Sequence, residues 1–134
     1  MWTQRSKGRW DELTVRVSYA NVYATDWTLG ERLSNSPQHL GKIGLVLPLK
    51  PLATSLAFDG RITGERRTLN ADTISGFALA NITTTTALSK ALDLQFGLYN
   101  ALDRDYADPG SEEHLQPAIG QDGRTLRVRL IARF

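Results

Sequence analysis

Residues 125–134 read TLRVRLIARF, and their polarity alternates from one residue to the next. The apolar members fall on one face, namely Leu126, Val128, Leu130, Ala132 and Phe134. The opposite face carries Thr125, Arg127, Arg129 and Arg133, with Ile131 as its only apolar member. A period of two over this length predicts a β-strand with one apolar face and one polar face.

The same alternation occurs in four segments upstream. Their apolar positions are Leu13, Val15, Val17 and Tyr19; Ile43, Leu45, Leu47 and Leu49; Leu56 and Phe58; and Leu92, Leu94, Phe96 and Leu98. A further segment, residues 76–88, is rich in threonine, which favours strands, but its facing is not evident. The sequence therefore predicts an all-β chain of about six long antiparallel strands, several of them longer than the roughly five or six residues of an average strand.

The predicted connections differ in length at the two ends of the strands. Residues 49–53 and 88–91 are short turns, whereas residues 27–38, 66–75 and 107–122 are long and polar. Short turns on one side and long loops on the other are typical of a transmembrane β-barrel. A soluble antiparallel β-sheet that binds a partner and packs its apolar face on a core would alternate in the same way, and it remains the alternative. Strand length and loop asymmetry favour a fragment of a transmembrane barrel in an up-and-down meander.

Composition excludes several other classes of protein. The chain has 134 residues, 41% of them hydrophobic, which is a globular composition. It contains no run of about 18 apolar residues that would form a transmembrane helix. The absence of cysteine excludes disulfides, thiol catalysis and cysteine-bound metals. The net charge is only +2, and the basic residues are scattered along the chain and do not form a cluster. We therefore expect no nucleic-acid partner.

Two groups of side chains are candidates for a reactive or metal-binding site. The first is an acidic stretch comprising Asp103, Asp105, Asp108, Glu112, Glu113 and His114, whose spacing lacks the pattern of a calcium loop. The second is the pair of histidines, His39 and His114, which have no evident partners for zinc, haem or triad chemistry. We therefore expect no catalytic residues, no metal site and no cofactor, and we predict that the chain is not an enzyme.

Aromatic residues cluster near the predicted strand ends on the side of the long loops. They are Tyr19, Tyr23 and Trp27 for the first strand and Tyr99 and Tyr106 for the fifth. Rings at this level are expected in the aromatic girdle of a barrel. Ordinary packing at a strand end explains any single ring nearly as well.

Several motifs resemble those of one known family. Residues 99–106, YNALDRDY, resemble the YNLFDRxY strand end of TonB-dependent outer-membrane receptors. The following loop, residues 108–125, is similar to the penultimate loop of such receptors, and residues 35–39, NSPQH, resemble their NSPxH strand opening. The chain also ends in the aromatic residue that closes the last barrel strand of this family.

The resemblance implies a fold, a location and partners. The family's barrel has about 22 strands around a plug, of which this chain supplies about six. We interpret residues 1–12 as the remnant of a preceding turn or strand and residues 13–134 as C-terminal barrel strands. The short turns would face the periplasm and the long loops the exterior. The implied function is uptake of a scarce large nutrient, of the siderophore-iron or cobalamin type, by a receptor in the outer membrane of a Gram-negative cell. We expect this portion to be incomplete and inactive alone.

The resemblance also assigns roles to residues of the last strand. Phe134, with Leu130 and Ala132, would form the signal that the barrel-assembly machinery recognises. Arg127, Arg129 and Arg133 would face the lumen, where contact with a plug or an anionic substrate is one interpretation. The plainer interpretation is a wall that faces water and charged side chains such as Asp93. The other expected partners are outer-membrane lipid and, only through an N-terminal part that this chain lacks, TonB.

Overall fold

The structure is a computed structural model that describes residues 2–4, 13–25, 27, 28, 30, 33–110 and 113–134. Most of the N-terminal segment 1–12, and Glu112 of the acidic stretch, lie outside the described residues. No helix long and apolar enough to cross a membrane occurs in the described part of the chain.

Eleven strands occur among the described residues. In chain order they are β1 (Trp2–Gln4), β2 (Thr14–Asn21), β3 (His39–Leu49), β4 (Thr54–Thr63), β5 (Arg66–Arg67), β6 (Thr73–Ile74), β7 (Phe77–Ser89), β8 (Leu92–Tyr99), β9 (Ala107–Pro109), β10 (Ala118–Gly120) and β11 (Thr125–Ala132). Six of them have 8 to 13 residues, and the rest have two or three. A transmembrane β-strand needs about 9–11 residues, so the long strands have a suitable length.

The long strands form one antiparallel sheet in the order β1-β2-β3-β4-β7-β8-β11, with the short β1 at one edge and β11 at the other. The sheet is an open up-and-down meander, because each long strand pairs with the next long strand along the chain. The predicted fold class, an all-β barrel fragment of about six long strands, is confirmed.

The two ends of the sheet differ in the length of their connections, as predicted. At one end, a single 3-10 turn (Lys50–Leu52) joins β3 to β4, and two residues, Lys90 and Ala91, join β7 to β8. Ala53 closes the first turn in the left-handed region, with φ of 47°, and its N–H donates to the carbonyl of Lys50 at 3.0 Å. The other end carries residues 22–38, 64–76 and 100–124. The last two of these loops contain the small hairpins β5–β6 and β9–β10.

The strand register places on one face all the predicted apolar positions that lie within the strands, which excludes only Leu13 and Phe134. Val17 pairs with Ile43, Leu45 with Phe58, and Phe58 with Ile82. Across the next strands, Ile82 pairs with Leu98 and Leu98 with Leu126. Because paired residues in a sheet point to the same side, these rows form one continuous apolar face across six strands.

The facing of β7, which the sequence leaves open, is fixed by its neighbours. Thr84 lies between Leu56 and Phe96 on the apolar face, whereas Thr83 lies between Ala57 and Gly97 on the polar face. Threonine therefore occupies both faces of β7. This explains why the sequence of β7 shows no alternation of polarity.

Candidate membrane wall and polar face of the barrel segment

The apolar face of the sheet is exposed rather than packed against a core. Its large exposed side chains are Val17, Tyr19, Ile43, Ile62, Ile82, Leu94, Phe96, Leu126, Val128 and Leu130. Val128 in the edge strand is 65% exposed, and among the described residues the only buried hydrophobic one is Phe77. Contiguous apolar patches of this extent are rare on soluble monomers and mark a surface that contacts lipid or another protein. A soluble sheet would instead bury this face.

Arg127 lies on the opposite, polar face of β11, where it contacts an aromatic ring. Its guanidinium carbon is 4.9 Å from the ring centroid of Tyr99 in the neighbouring strand β8. The residue opposite Arg127 is Gly97, and a Cβ there would come within 2.8 Å of the Tyr99 ring. The glycine thus leaves room for the tyrosine ring, which in turn supports the arginine through a cation–π contact.

Not every glycine on the polar face relieves crowding of this kind. At Gly97 the Tyr99 ring occupies the space above the backbone. A Cβ on Gly44 would meet nothing closer than the Cβ of Arg16, at 4.0 Å. Gly44 therefore relieves no crowding.

The other two predicted arginines, Arg129 in β11 and Arg133 just after it, also occupy the polar side. Arg133 forms an ion pair with Asp93 in β8, and its backbone N–H donates to the carbonyl of Ala91 at 2.8 Å. Asp93 is one of the few buried charged residues, so its carboxylate needs this partner. Arg129 is exposed. Arg133 therefore fits the interpretation of a polar wall that faces charged side chains, because it pairs with Asp93.

A cavity of about 360 Å³ opens on the polar face near the long loops. Its walls include Asp59, Arg61, Asn81, Tyr99, Asp122 and Arg127. Asn81 donates to the Asp59 carboxylate at 3.5 Å and accepts a hydrogen bond from the backbone N–H of Asn100 at 2.9 Å. The cavity is lined by both acidic and basic side chains, and some of its polar groups form hydrogen bonds with one another.

The tyrosine-asparagine motif at the end of β8 forms a compact turn. Asn100 is 5% exposed and left-handed, with φ of 48°. Its side-chain amide donates to the carbonyls of Arg104 (2.9 Å) and Asp122 (3.3 Å), and its Oδ1 accepts from the N–H of Arg104 (3.0 Å). Asp103, also left-handed, accepts from the N–H of Arg124 at 2.9 Å. The motif therefore ties the start of the last loop to its end.

The aromatic residues do not form one girdle. Tyr19 and Tyr23 are exposed, and Tyr19 lies at the loop end of the apolar face, as a girdle ring would. Tyr99 lies on the polar face, and Tyr106 packs on Phe77 with ring centroids 4.5 Å apart. The girdle interpretation is therefore wrong for Tyr99 and Tyr106. Alternation along β8 already places Tyr99 on the polar face together with Gly97. The contact between Tyr106 and Phe77 joins segments distant in sequence, which strand periodicity does not reveal.

The residues of the predicted assembly signal lie at the outer edge of the sheet. Leu130 and Ala132 occupy the apolar face of the edge strand β11, paired with Leu94 and Leu92. Phe134 follows β11 and is fully exposed. An edge strand with an exposed aromatic terminus is open to pairing by another strand.

Neither histidine is placed in a metal site. The OH group of Tyr19 lies 2.7 Å from Nδ1 of His39, and the two rings stack with centroids 6.1 Å apart. Within the described residues, no group of three or more histidine, aspartate or glutamate side chains could hold a metal ion. Asp103 and Asp108 of the acidic stretch instead pair with Arg124 and Arg66.

Sequence reasoning missed one cluster in the loops. Arg66 is buried and reaches Asp108, which lies 42 residues further along the chain. The only sequence signal is an arginine pair at 66–67 in a polar loop, which by itself indicates a solvated surface.

Comparisons with known proteins give a clear result at the level of fold. No family model matches the chain, and neither does any curated protein. Among solved structures, the unliganded ferric citrate transporter FecA has a TM-score of 0.78 and 24% identity over 92% of this chain. A point mutant of the ferric enterobactin receptor PfeA from Pseudomonas aeruginosa has a TM-score of 0.75 and 21% identity over 92%. The iron transporter FrpB from Neisseria meningitidis has a TM-score of 0.71 and 16% identity over 98%.

The chain spans about a fifth of the length of these structures, namely 21%, 20% and 22%. The matched proteins are transporters and receptors rather than enzymes. At these identities the similarity establishes the fold. It confirms, at that level, the resemblance based on the C-terminal motifs: this chain has the fold of a segment of the β-barrel of TonB-dependent outer-membrane receptors.

Proposed function

We propose that the six long strands form part of the membrane-spanning wall of an outer-membrane uptake receptor. The single observation that carries this proposal is the exposed apolar face, which is continuous from β2 to β11. In a barrel, this face contacts lipid and the alternate residues face the lumen. The alternative, a soluble β-sheet binding module, would bury this face on a core, whereas among the described residues the face is exposed, which disfavours that alternative.

The two arginines of β11, Arg127 and Arg129, and Arg133 just after the strand then face the lumen. A register slip of one residue would turn Arg127 and Arg129 toward lipid, at a cost of roughly 2–4 kcal/mol each near the midplane of the bilayer. This penalty keeps the strand in register. Arg133 neutralises Asp93, and Arg127 rests on Tyr99, so their main role is to build a polar wall.

The substrate we propose is a scarce large nutrient of the siderophore-iron or cobalamin type. Support comes from the fold, since the matched structures include a transporter of ferric citrate and a receptor for ferric enterobactin. The chain would take part in this uptake only within a receptor that also has a plug and the rest of the barrel. Alone, it would be inactive in transport.

The partners of the chain follow from the same proposal. Its apolar face would contact outer-membrane lipid. The C-terminal strand, through Leu130, Ala132 and Phe134, would be bound by the barrel-assembly machinery. TonB would act only through an N-terminal part of the receptor that lies outside these 134 residues. The location would be the outer membrane of a Gram-negative cell.

The reading frame immediately upstream of Met1 tests this proposal. We expect it to encode, without interruption, a plug and further strands of alternating polarity. A stop codon or an unrelated gene directly upstream would overturn the receptor function. In that case, the chain would be either a degenerate remnant of a receptor gene or a soluble β-sheet module.

The assembly role of Phe134 can be tested within the complete receptor. Deleting Phe134 should lower the amount of heat-modifiable folded receptor in outer membranes several-fold, because the terminal strand loses its aromatic end. The matched control is Phe134→Tyr, which keeps the ring and should assemble at the wild-type level. Unchanged assembly after the deletion would contradict this role.

A further inference from the structure

Arg66 joins two loops that are far apart in sequence. It opens β5, in the loop between β4 and β7, and its side chain is 7% exposed. One terminal guanidinium nitrogen donates to Oδ1 of Asp108 at 2.7 Å, and the other donates to the carbonyl of Ala107 at 2.8 Å. Both acceptors belong to β9, in the loop between β8 and β11. One side chain therefore binds the other loop through a carboxylate and through the backbone.

Aromatic rings from both segments support this ion pair. The Arg66 guanidinium lies 5.3 Å from the ring centroid of Phe77, the first residue of β7. Phe77 packs on Tyr106, the residue just before β9. Arg61, which also lines the cavity on the polar face, lies 5.3 Å from the same Phe77 ring. The contact between the loops thus rests directly above the polar face of the sheet.

Burial makes the contact costly to break. Arg66 is among the few buried charged residues, and of its three nitrogens only Nε lacks a partner within the described part of the chain. If the β8–β11 loop moved away alone, the buried Arg66 charge would lose its carboxylate partner, which is strongly unfavourable, whereas Asp108 is 42% exposed and stays in contact with water. Movement of both loops together exposes the two charges to water, where each is solvated.

We propose that Arg66 couples the β4–β7 loop and the β8–β11 loop into one cooperative unit, so that neither opens while the Arg66–Asp108 ion pair is intact. This coupling goes beyond the proposed function. It concerns the contact between the two loops and does not depend on which ligand the receptor takes up.

Hydrogen–deuterium exchange of the 134-residue chain in detergent micelles tests the coupling. We expect the hydrogen-bonded backbone amides of residues 68–75, 107–110 and 113–121 to exchange with one common protection factor. Arg66→Ala should lower protection in both loops by the same factor, at least about tenfold. Asp108→Ala should also lower protection in both loops, but less, because Arg66 keeps its hydrogen bond to the carbonyl of Ala107. The double variant should lower protection little further than Arg66→Ala, because both substitutions break the same pair.

Two matched variants sharpen the result. Arg67→Ala removes the adjacent, less buried arginine and should leave protection in the β8–β11 loop unchanged. Arg66→Lys keeps the charge but cannot reproduce the two-pronged contact, so it should give an intermediate loss in both loops.

Either of two outcomes would overturn the proposal. The first is that each single variant loosens only the loop that carries it. The second is that Arg66→Ala lowers protection in β7 and β8 as much as in the loops, or abolishes strand structure. Arg66 would then stabilise the sheet as a whole.

Discussion

Asn100 shows how one residue organises the end of a strand. Its left-handed backbone turns the chain at the end of β8, and its buried side-chain amide satisfies backbone groups on both sides of the last loop. Asparagine tolerates this backbone conformation better than most residues and carries both a donor and an acceptor. The need for both properties accounts for an asparagine after Tyr99 in the motif.

Asn100→Ala should destabilise the chain by about 2–4 kcal/mol, because it strains the backbone and removes the three hydrogen bonds that the buried Asn100 side chain makes to backbone groups of Arg104 and Asp122. Asn100→Gly removes the same hydrogen bonds without the strain, so its loss should be smaller by about 1 kcal/mol. Urea unfolding in detergent micelles, followed by circular dichroism, measures both. Equal stability of the alanine variant and the wild type would contradict this role.

At the scale of elements, β8 and β11 are joined on their polar side by a stack of Gly97, Tyr99 and Arg127. The glycine gives the ring its space, and the ring supports the guanidinium. The stack therefore depends on a residue that contributes no side chain.

Gly97→Ala should displace the Tyr99 ring from its position and cost about 0.5–1.5 kcal/mol, the range of a side chain forced off its rotamer. Gly44→Ala is the matched control, because the new methyl group meets no atom closer than 4.0 Å. It should be neutral or slightly stabilising, since glycine weakens a strand. Unfolding midpoints that rank the two variants in the opposite order would contradict the stack.

Periodicity predicted the facing of five long strands because each carries large apolar residues on alternate positions. In β7 it failed, since threonine suits both faces and only pairing with β4 and β8 fixes the facing. The Arg66–Asp108 pair could not be predicted either. Its partners are distant in sequence, and no local pattern records which two loops fold against each other.

At the scale of the whole molecule, the described sheet has two edges and does not close. The smallest bacterial barrels of one chain have about eight strands, more than the six long ones here. Backbone groups at the open edges would lack partners in the hydrocarbon core of a membrane.

The 134-residue chain refolded alone should therefore form no closed pore. Planar bilayers that contain it should show no steady single-channel conductance, whereas a complete parent receptor with its plug removed would serve as the conducting control. Discrete and stable current steps from the chain alone would contradict this prediction.

The most direct test of the central claim, that the apolar face contacts lipid, uses spin labels along β11. The chain has no cysteine, so Leu126, Arg127, Val128, Arg129 and Leu130 can each be replaced by a single labelled cysteine. In a complete receptor that carries these substitutions, reconstituted in lipid vesicles so that the sheet has no open edge, labels at 126, 128 and 130 should be accessible to oxygen, which concentrates in the bilayer. Labels at 127 and 129 should be accessible to a water-soluble nickel complex. Labels at 126, 128 and 130 that neither reagent reaches would mean that this face packs against protein, and the membrane wall would have to be abandoned.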